Sequence, residues 1–452
     1  MQPLKQEKIF TNHQLLTLLW PLIIEQTLSV LVGMADTVMV SSVGEAAISG
    51  VSLVDMINQL IITVFAALAT GGAVVTSQYL GAKKPEQAAR SAGQLVGLSA
   101  LLGLAVAAFC LLTRRPMLRL LFGSITDDVM DAALVYFTIT ALSFPFLALY
   151  NAGAAIFRST GNSAVSMKVS VIVNAINFCG NAICIFVLGM GVEGVAIPTL
   201  ISRAVGAFII LGLAAQHEYV LHITPRSVTH LEGGIVKSIL RIGIPSACEN
   251  SLFQLGRVLV VSMISLFGTV HISANAVANN LDAVGAIIGT AMGLAVITVV
   301  GRCVGAQDLD QAVYYTKKLM LWDYIAQGVA NAAVILSLGV VLNMYTLSPE
   351  TRALSAELVT IHCAMGILIW PAAFVLPNAL RAANDVKFTM IASIASMIAW
   401  RLAFSWILCV NFGWGAVGVW WAMVIDWACR TVCFVGRFAS GAWKKKAMKT
   451  PG

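Results

Sequence analysis

The sequence predicts an all-α integral membrane protein: twelve transmembrane helices in two pseudo-symmetric six-helix lobes. Three observations carry that reading. The 452-residue chain is 59% hydrophobic and only 11% charged, against about 25% charged in an ordinary soluble domain. It resolves into twelve apolar runs, each long enough to cross a ~30 Å hydrocarbon layer as a helix. Its sparse polar positions recur at an offset of 224 residues, half the chain.

The runs fall at 14–40, 51–80, 88–113, 130–157, 163–189, 194–216, 238–267, 273–304, 312–343, 353–380, 386–412 and 415–438. The stretch Leu15 to Val40 makes a helix of roughly 39 Å at ~1.5 Å per residue. It holds two acids, Glu25 and Asp36, eleven residues apart and therefore on one face. Pro21 and Gly33 each lie about one turn before an acid, where they free a carbonyl or admit a neighbouring backbone. The second run closes at GAKKPEQ (81–87). After the third, RRPMLRLLFG (114–123) reads as a short interfacial helix. The fourth ends at RSTGNS (158–163), the fifth carries Asn177 and Asn181 one turn apart, and the sixth carries Pro198-Thr199. The polar stretch HEYVLHITPRSVTHLEGG (217–234) then separates the halves. The expected division is an N-lobe at 1–216, a cytoplasmic linker at 217–237 and a C-lobe at 238–452. In the second half, Glu249 and Arg257 lie in run seven, Asp282 in run eight, Asp323 in run nine, Arg401 in run eleven and Asp426 in run twelve.

The net charge of +7 sits mostly in short loops, so it sets topology and does not point to nucleic acid. With both ends inside, the inner loops and tails hold most of the Lys and Arg, from Lys5 to the tail KKKAMK. The outer ones hold Arg114, Arg115, Arg119 and Arg352. An inside–inside topology follows, expected in a plasma membrane, with no cleavable signal peptide in the polar start MQPLKQEKIFTNH. The nine cysteines show no CxxC or Cys/His metal spacing and read as small packing residues. No HExxH, GxSxG or P-loop is present, so an enzyme is not expected.

The repeat pairs Pro21-Leu-Ile-Ile-Glu25-Gln26 with Pro245-Ser-Ala-Cys-Glu249-Asn250. It also pairs Gly44 with Gly268, Gly81-Ala82 with Gly305-Ala306, and Gly194 with Gly418. Arg158 and Arg381 pair one residue out of register. Two halves of six helices each keep the same orientation, related by an axis along the membrane normal. Transporters built this way commonly bind substrate near the midplane and rock one half against the other.

Several stretches together resemble the multidrug and toxic compound extrusion (MATE) family: PLIIEQ…VGMADTVMVSSVG, GAKKPEQA, RSTGNS, VNAINFCGNAICIF followed by GVEGVAIPT, and the second-half GIPSACEN and LRAAND. The resemblance covers about 13–438. It implies an antiporter that exports organic cations and amphipathic drugs against inward Na⁺ or H⁺, with no resident cofactor, acting as a monomer in the bilayer. By position it implies a cation or proton site at Asp36, Asn177, Asn181 and Thr199, with Na⁺ held at Asp36, Asn177 and Asn181. Some relatives carry Asp where this chain has Asn181, which leaves the choice between Na⁺ and H⁺ open. The family's other cation site, in the C-terminal lobe, does not carry over, because Glu249 in run seven lies too close to Pro245 for that register.

An acid at membrane depth is a functional candidate by default. Asp36 can be an oxygen ligand for a hard cation or a proton carrier; a structural hydrogen bond is the alternative. Glu25 and Glu249 either face a substrate cavity or are structural acids near a membrane face. Arg257 and Arg401 are candidate cavity residues, and Glu249 and Asp426 their candidate partners. Left unpaired, they favour anionic substrates, and a flippase of a lipid-linked or anionic amphiphile is the rival function. Asp282 and Asp323 are expected to be structurally paired.

Overall fold

The computed structural model describes residues 8–123, 126–345 and 347–448; Lys5 and Lys449 lie outside them. Six long helices form the first half: α1 (Asn12–Ser41), α2 (Glu45–Gly81), α3 (Pro85–Phe122), α4 (Asp127–Ser159), α5 (Ser163–Ala182) and α6 (Glu193–Ala214). A short α7 (Pro225–Thr229) leads to α8 (Gly233–Ser265), α9 (Thr269–Gly285), α10 (Ile287–Gly305), α11 (Leu309–Asn343), α12 (Pro349–Trp370), α13 (Leu376–Ala382), α14 (Val386–Ser396), α15 (Gly415–Ala439) and α16 (Lys444–Ala447). Among the described residues, eleven helices are long and apolar enough to cross a membrane. The 33-residue α8 is the twelfth span, its apolar character diluted by Lys237, Arg241, Glu249 and Arg257. The fold is all-α, with six spans in each half, as the sequence predicts.

The duplication is visible in the backbone itself. Left-handed residues recur at matched places: Gly44 and Gly268, Lys83 and Gln307, Gly189 and Gly413, each pair 224 apart, and Gly161 with Asn384. The hydrogen bonds that close these turns recur with them. Lys84 N donates to Tyr79 O and Asp308 N to Cys303 O, both at 3.0 Å. Asn162 N donates to Phe157 O at 3.1 Å and Asp385 N to Leu380 O at 2.9 Å. The fifth helix of each half ends in wider π turns, Ile183–Val187 and Trp406–Asn411. One turn design therefore terminates corresponding helices in both halves by meeting their last carbonyls.

The structure departs from the sequence expectations in three places. Residues 114–122 are the end of α3, not a separate interfacial helix; α3 runs unbroken through Pro116, and Arg114 Nη1 donates to Thr138 Oγ1 on α4 at 3.0 Å. The run 273–304 is broken at Ala286 between α9 and α10. Close packing surrounds that break: a Cβ on Gly285 would lie 2.9 Å from Asn331 Oδ1, and one on Gly289 would overlap the Trp370 ring. The run 353–380 takes a π turn at Pro371–Val375, where Pro371 supplies no N–H to the helix ladder.

The chain divides into two compact units. One holds residues 16–247, the other 8–15 and 248–448, so the boundary falls inside α8 just past Pro245. The connection after α6 folds onto the first unit. Thr224 and Ser227 form a capping box on α7, and α7 lies against α3 where Gly93 and Gly97 leave no side chain in the way. Gln94 Nε2 donates to His230 O at 2.6 Å, and Gln94 Oε1 accepts from Glu232 N at 3.0 Å. In the second unit, Phe10 N donates to Tyr315 Oη at 2.9 Å and Tyr315 returns a bond to Phe10 O. Each unit has its own apolar core, around Phe65, Phe137 and Phe144 in the first and Leu358, Cys409 and Trp427 in the second. Apolar side chains such as Leu104, Phe109, Leu336 and Val340 remain exposed on helix exteriors, as lipid-facing surface requires.

Both repeat glutamates are held by arginine. Glu25 Oε1 lies 3.3 Å from Arg158 Nη1, and its Oε2 accepts from Ser166 Oγ at 3.0 Å. Glu249 Oε1 lies 2.8 Å from Arg381 Nη2, whose Nη1 donates to Asn378 Oδ1 at 2.7 Å. The matched arginines, in the last turns of α4 and α13, thus clamp the matched helix acids, a structural role that charge counting alone assigned to topology. Asp426 pairs with Arg430 at 3.0 Å and accepts from Ser396 Oγ at 2.6 Å, so it is not the direct partner of Arg257 or Arg401. Asp282 is paired, with His362 at 2.8 Å. Asp323 is not: it is fully buried, and neither carboxylate oxygen has a partner among the described residues.

Removing one member of a buried ion pair strands the other, at about 3–5 kcal/mol. Arg158→Ala and Arg381→Ala should each lower the thermal denaturation midpoint of the purified protein. The double variant Glu249→Gln/Arg381→Gln should lose less than Arg381→Ala alone.

Candidate functional site

Helix α1 meets α5 along the face that carries both of its acids. Glu25 reaches Ser166 early in α5, and Asp36 reaches Asn181 late in it. The two helices therefore run parallel, with both acids of α1 turned to α5. Asn181 is fully buried and donates from Nδ2 to Asp36 Oδ1 at 2.8 Å. The Asn177 amide, one turn earlier, turns its nitrogen to Asp36, 3.1 Å from each carboxylate oxygen. Its oxygen then lies 3.0 Å from Thr199 Oγ1 on α6. The reverse orientation would set oxygen against oxygen, so the hydrogen-bond pattern assigns the amide. All four residues named from the sequence come together here.

Asp36 is half-buried and opens on a cavity of about 390 Å³ bounded by α1, α2, α4, α5 and α6. Three ionisable groups that the sequence reading passed over also line it: Asp55, Tyr136 and Arg203. Asp55 Oδ1 accepts from Tyr136 Oη at 3.0 Å and from Asn58 Nδ2 at 3.1 Å. Arg203 Nη1 donates to Ser143 Oγ at 2.7 Å and stands within electrostatic reach of Asp36 and Asp55. The signal was available: Asp55 and Arg203 are ionisable residues inside apolar runs, and such residues seldom sit there without a role.

With its side chains ionised, the cavity lining carries two negative charges and one positive one, so it favours a cation. It is also rich in oxygen. The carboxylate of Asp36 and the hydroxyl of Thr199 both line it, bridged by the Asn177 amide, and behind the lining Asn181 Oδ1 is buried without a partner among the described residues. Carboxylate, amide and hydroxyl oxygens suit a hard cation such as Na⁺, and the carboxylate alone suits a proton. A cavity of this size also falls within the range that small organic ligands occupy. Glu25 does not line it. Glu249 borders a separate cavity of about 140 Å³ in the second unit, with Arg381 and Arg430. Arg257 and Arg401 line a third, of about 50 Å³.

Coulomb energies at an effective dielectric of about 20 run to ~2–3 kcal/mol at ~6 Å, less where water enters. Arg203→Ala removes the cavity's positive charge and should tighten binding of tetraphenylphosphonium several-fold by isothermal titration. Asp55→Asn should weaken it by a similar factor.

The MatE family model matches the chain twice, over residues 21–183 and 245–407. The two starts differ by the same 224 residues read from the sequence. The chain is similar to YisQ of Bacillus subtilis (strain 168), described as an uncharacterized transporter: 29% identity over 448 residues, covering 97% of this chain and 96% of that one. It is similar to a probable multidrug resistance protein NorM of Thermotoga maritima, with 25% identity over 462 residues, covering 99% and 96%. A solved structure described as the outward-facing conformation of a multidrug resistance MATE family transporter of the MOP superfamily shares the fold. Its TM-score is 0.87 at 22% identity over 96% of each chain.

Proposed function

This chain belongs to the MatE family of transporters, and from that premise we propose that it is a multidrug efflux antiporter. It exports organic cations and amphipathic drugs in exchange for Na⁺ or H⁺, by alternating access of its two lobes. The observation that carries the coupling is the Asp36 carboxylate, held by Asn181 and Asn177 at the edge of the net-negative cavity of about 390 Å³. A cation or proton arriving at Asp36 cancels one of the two negative charges that hold a cationic drug there. It also changes what Asn177, Asn181 and Thr199 must bond to, and so biases the packing of α1 against α5. By linkage the effect is reciprocal: bound drug weakens cation binding by the same factor. Antiport is that reciprocity operated across a membrane.

The excess of Lys and Arg on loops facing one side supports a plasma-membrane protein with both termini in the cytoplasm. The protein is a transporter and not an enzyme, and its partners are small-molecule solutes and the surrounding bilayer. The competing flippase reading draws on Arg257 and Arg401, which sit together in the second unit.

Proteoliposomes loaded with a cationic dye, under separately imposed Na⁺ and pH gradients, test the proposal. Wild-type protein should export dye under one gradient, and the gradient that works names the coupling ion. Asp36→Asn should insert at normal levels and lose gradient-driven efflux. Unimpaired efflux from that variant, or movement of a labelled lipid in place of dye, would overturn it.

A further inference from the structure

The two halves carry the same cavity with the charges exchanged. The cleft of about 50 Å³ in the second unit is lined by Arg257, Val260, Asn279, Arg401, Met423 and their neighbours. Shifted back by 224 residues, those positions become Gly33, Asp36, Asp55, Asn177 and Thr199, all of which line the large cavity of the first unit. So the C-terminal cleft is the duplicate of the cation site. Where the first copy has carboxylates, Asp36 and Asp55, the second has Val260 and Asn279. Where the first has neutral Gly33 and Asn177, the second has two guanidinium groups.

Among the described residues those guanidiniums have no direct ion-pair partner; Asp426 and Asp282 act on Arg401 only at a distance. Arg401 is only 8% exposed, and its Nε has no hydrogen-bond partner among the described residues. Its protein neighbour is the Phe253 ring, 5.1 Å away. Arg257 stands close enough for the two positive groups to repel each other. The nearby acids are engaged elsewhere: Glu249 with Arg381, Asp426 with Arg430 and Asp282 with His362. Trp420 Nε1 donates to Asn275 Oδ1 at 2.9 Å, which leaves the Asn275 NH₂ group for a ligand. Val260 and Met423 supply apolar wall.

We infer that this cleft binds the oxyanion head, carboxylate or phosphate, of an amphipathic solute. Guanidinium groups match such heads geometrically and electrostatically. Two of them at membrane depth with no acid between them are costly unless an anion joins them. The small cleft admits a head group, with the tail along the apolar wall. The site stands independently of whether Asp36 couples transport.

The test is equilibrium dialysis of labelled octanoate and octyl phosphate against the protein in phosphatidylcholine nanodiscs. At least one should bind with one-to-one stoichiometry and resist competition by octanol; which one binds tells carboxylate from phosphate. Arg257 is exposed, so Arg257→Gln should fold and should weaken binding at least tenfold. Val260→Asp places a carboxylate at the image of Asp36 and should also abolish binding, whereas Arg114→Gln on α3 should not change it. Equal competition by octanol, or wild-type affinity in both Arg257→Gln and Val260→Asp, would overturn the proposal. Loss of dye efflux with octanoate binding intact bears only on the coupling role of Asp36.

Discussion

Charge in an oily bundle must be answered by charge, and this requirement organises the protein. A lone ionised group inside a membrane costs several kcal/mol. Three intramembrane acids are therefore matched by arginine within one unit, Glu25 with Arg158, Glu249 with Arg381 and Asp426 with Arg430, and Asp282 lies 2.8 Å from His362 Nε2. All but Asp426–Arg430, which lies within α15, join distant points of the chain. The groups left incompletely matched stand out against them. Asp36 and Asp55 share one arginine around a cavity, Arg257 and Arg401 have no acid in direct contact among the described residues, and buried Asp323 has no partner there either.

Duplication supplies the frame in which those exceptions make sense. The turns that end corresponding helices place left-handed residues at matched positions and use the same closing hydrogen bonds in both halves. The glutamate–arginine clamps are copied too. Backbone geometry and clamps depend on local hydrogen bonding and one ion pair, so both survive extensive change around them. The cavity lining is under no such constraint. It has neutral Val260 and Asn279 where the first copy has acids and arginines where the first copy has neutral Gly33 and Asn177, so one architecture presents opposite electrostatic faces in its two halves. The second copy also breaks α9 from α10 at Ala286, where the first keeps α2 whole.

Asp36 owes its placement to elements that converge from three parts of the chain. Helix α1 presents it, two amides one turn apart on α5 hold it, and Thr199 follows Pro198 on α6 to complete the group. The amides take up part of the carboxylate's hydrogen-bonding capacity and leave the cavity side open. A group so held is bonded but not neutralised, which is the condition for exchanging a small cation.

The sequence alone determined the membrane class, the span number, the two-fold repeat and the meeting of Asp36, Asn177, Asn181 and Thr199. Composition, periodicity and spacing are local or strictly repeating properties, and the last of these was reached through family resemblance. Only the tertiary structure decided what each charge faces. Glu25 and Glu249 read equally well as cavity acids until Arg158 and Arg381 were found against them, and Asp55 and Arg203 joined the cavity from helices that gave no hint of their direction. The continuous α3 and the break at Ala286 were likewise decided by packing, at Gly285 and Gly289 in the second case. Hydropathy marks how deep a residue lies in the membrane. It does not mark which neighbour a side chain meets, because that depends on helix rotation, and helix rotation is set by contacts between residues far apart in the chain.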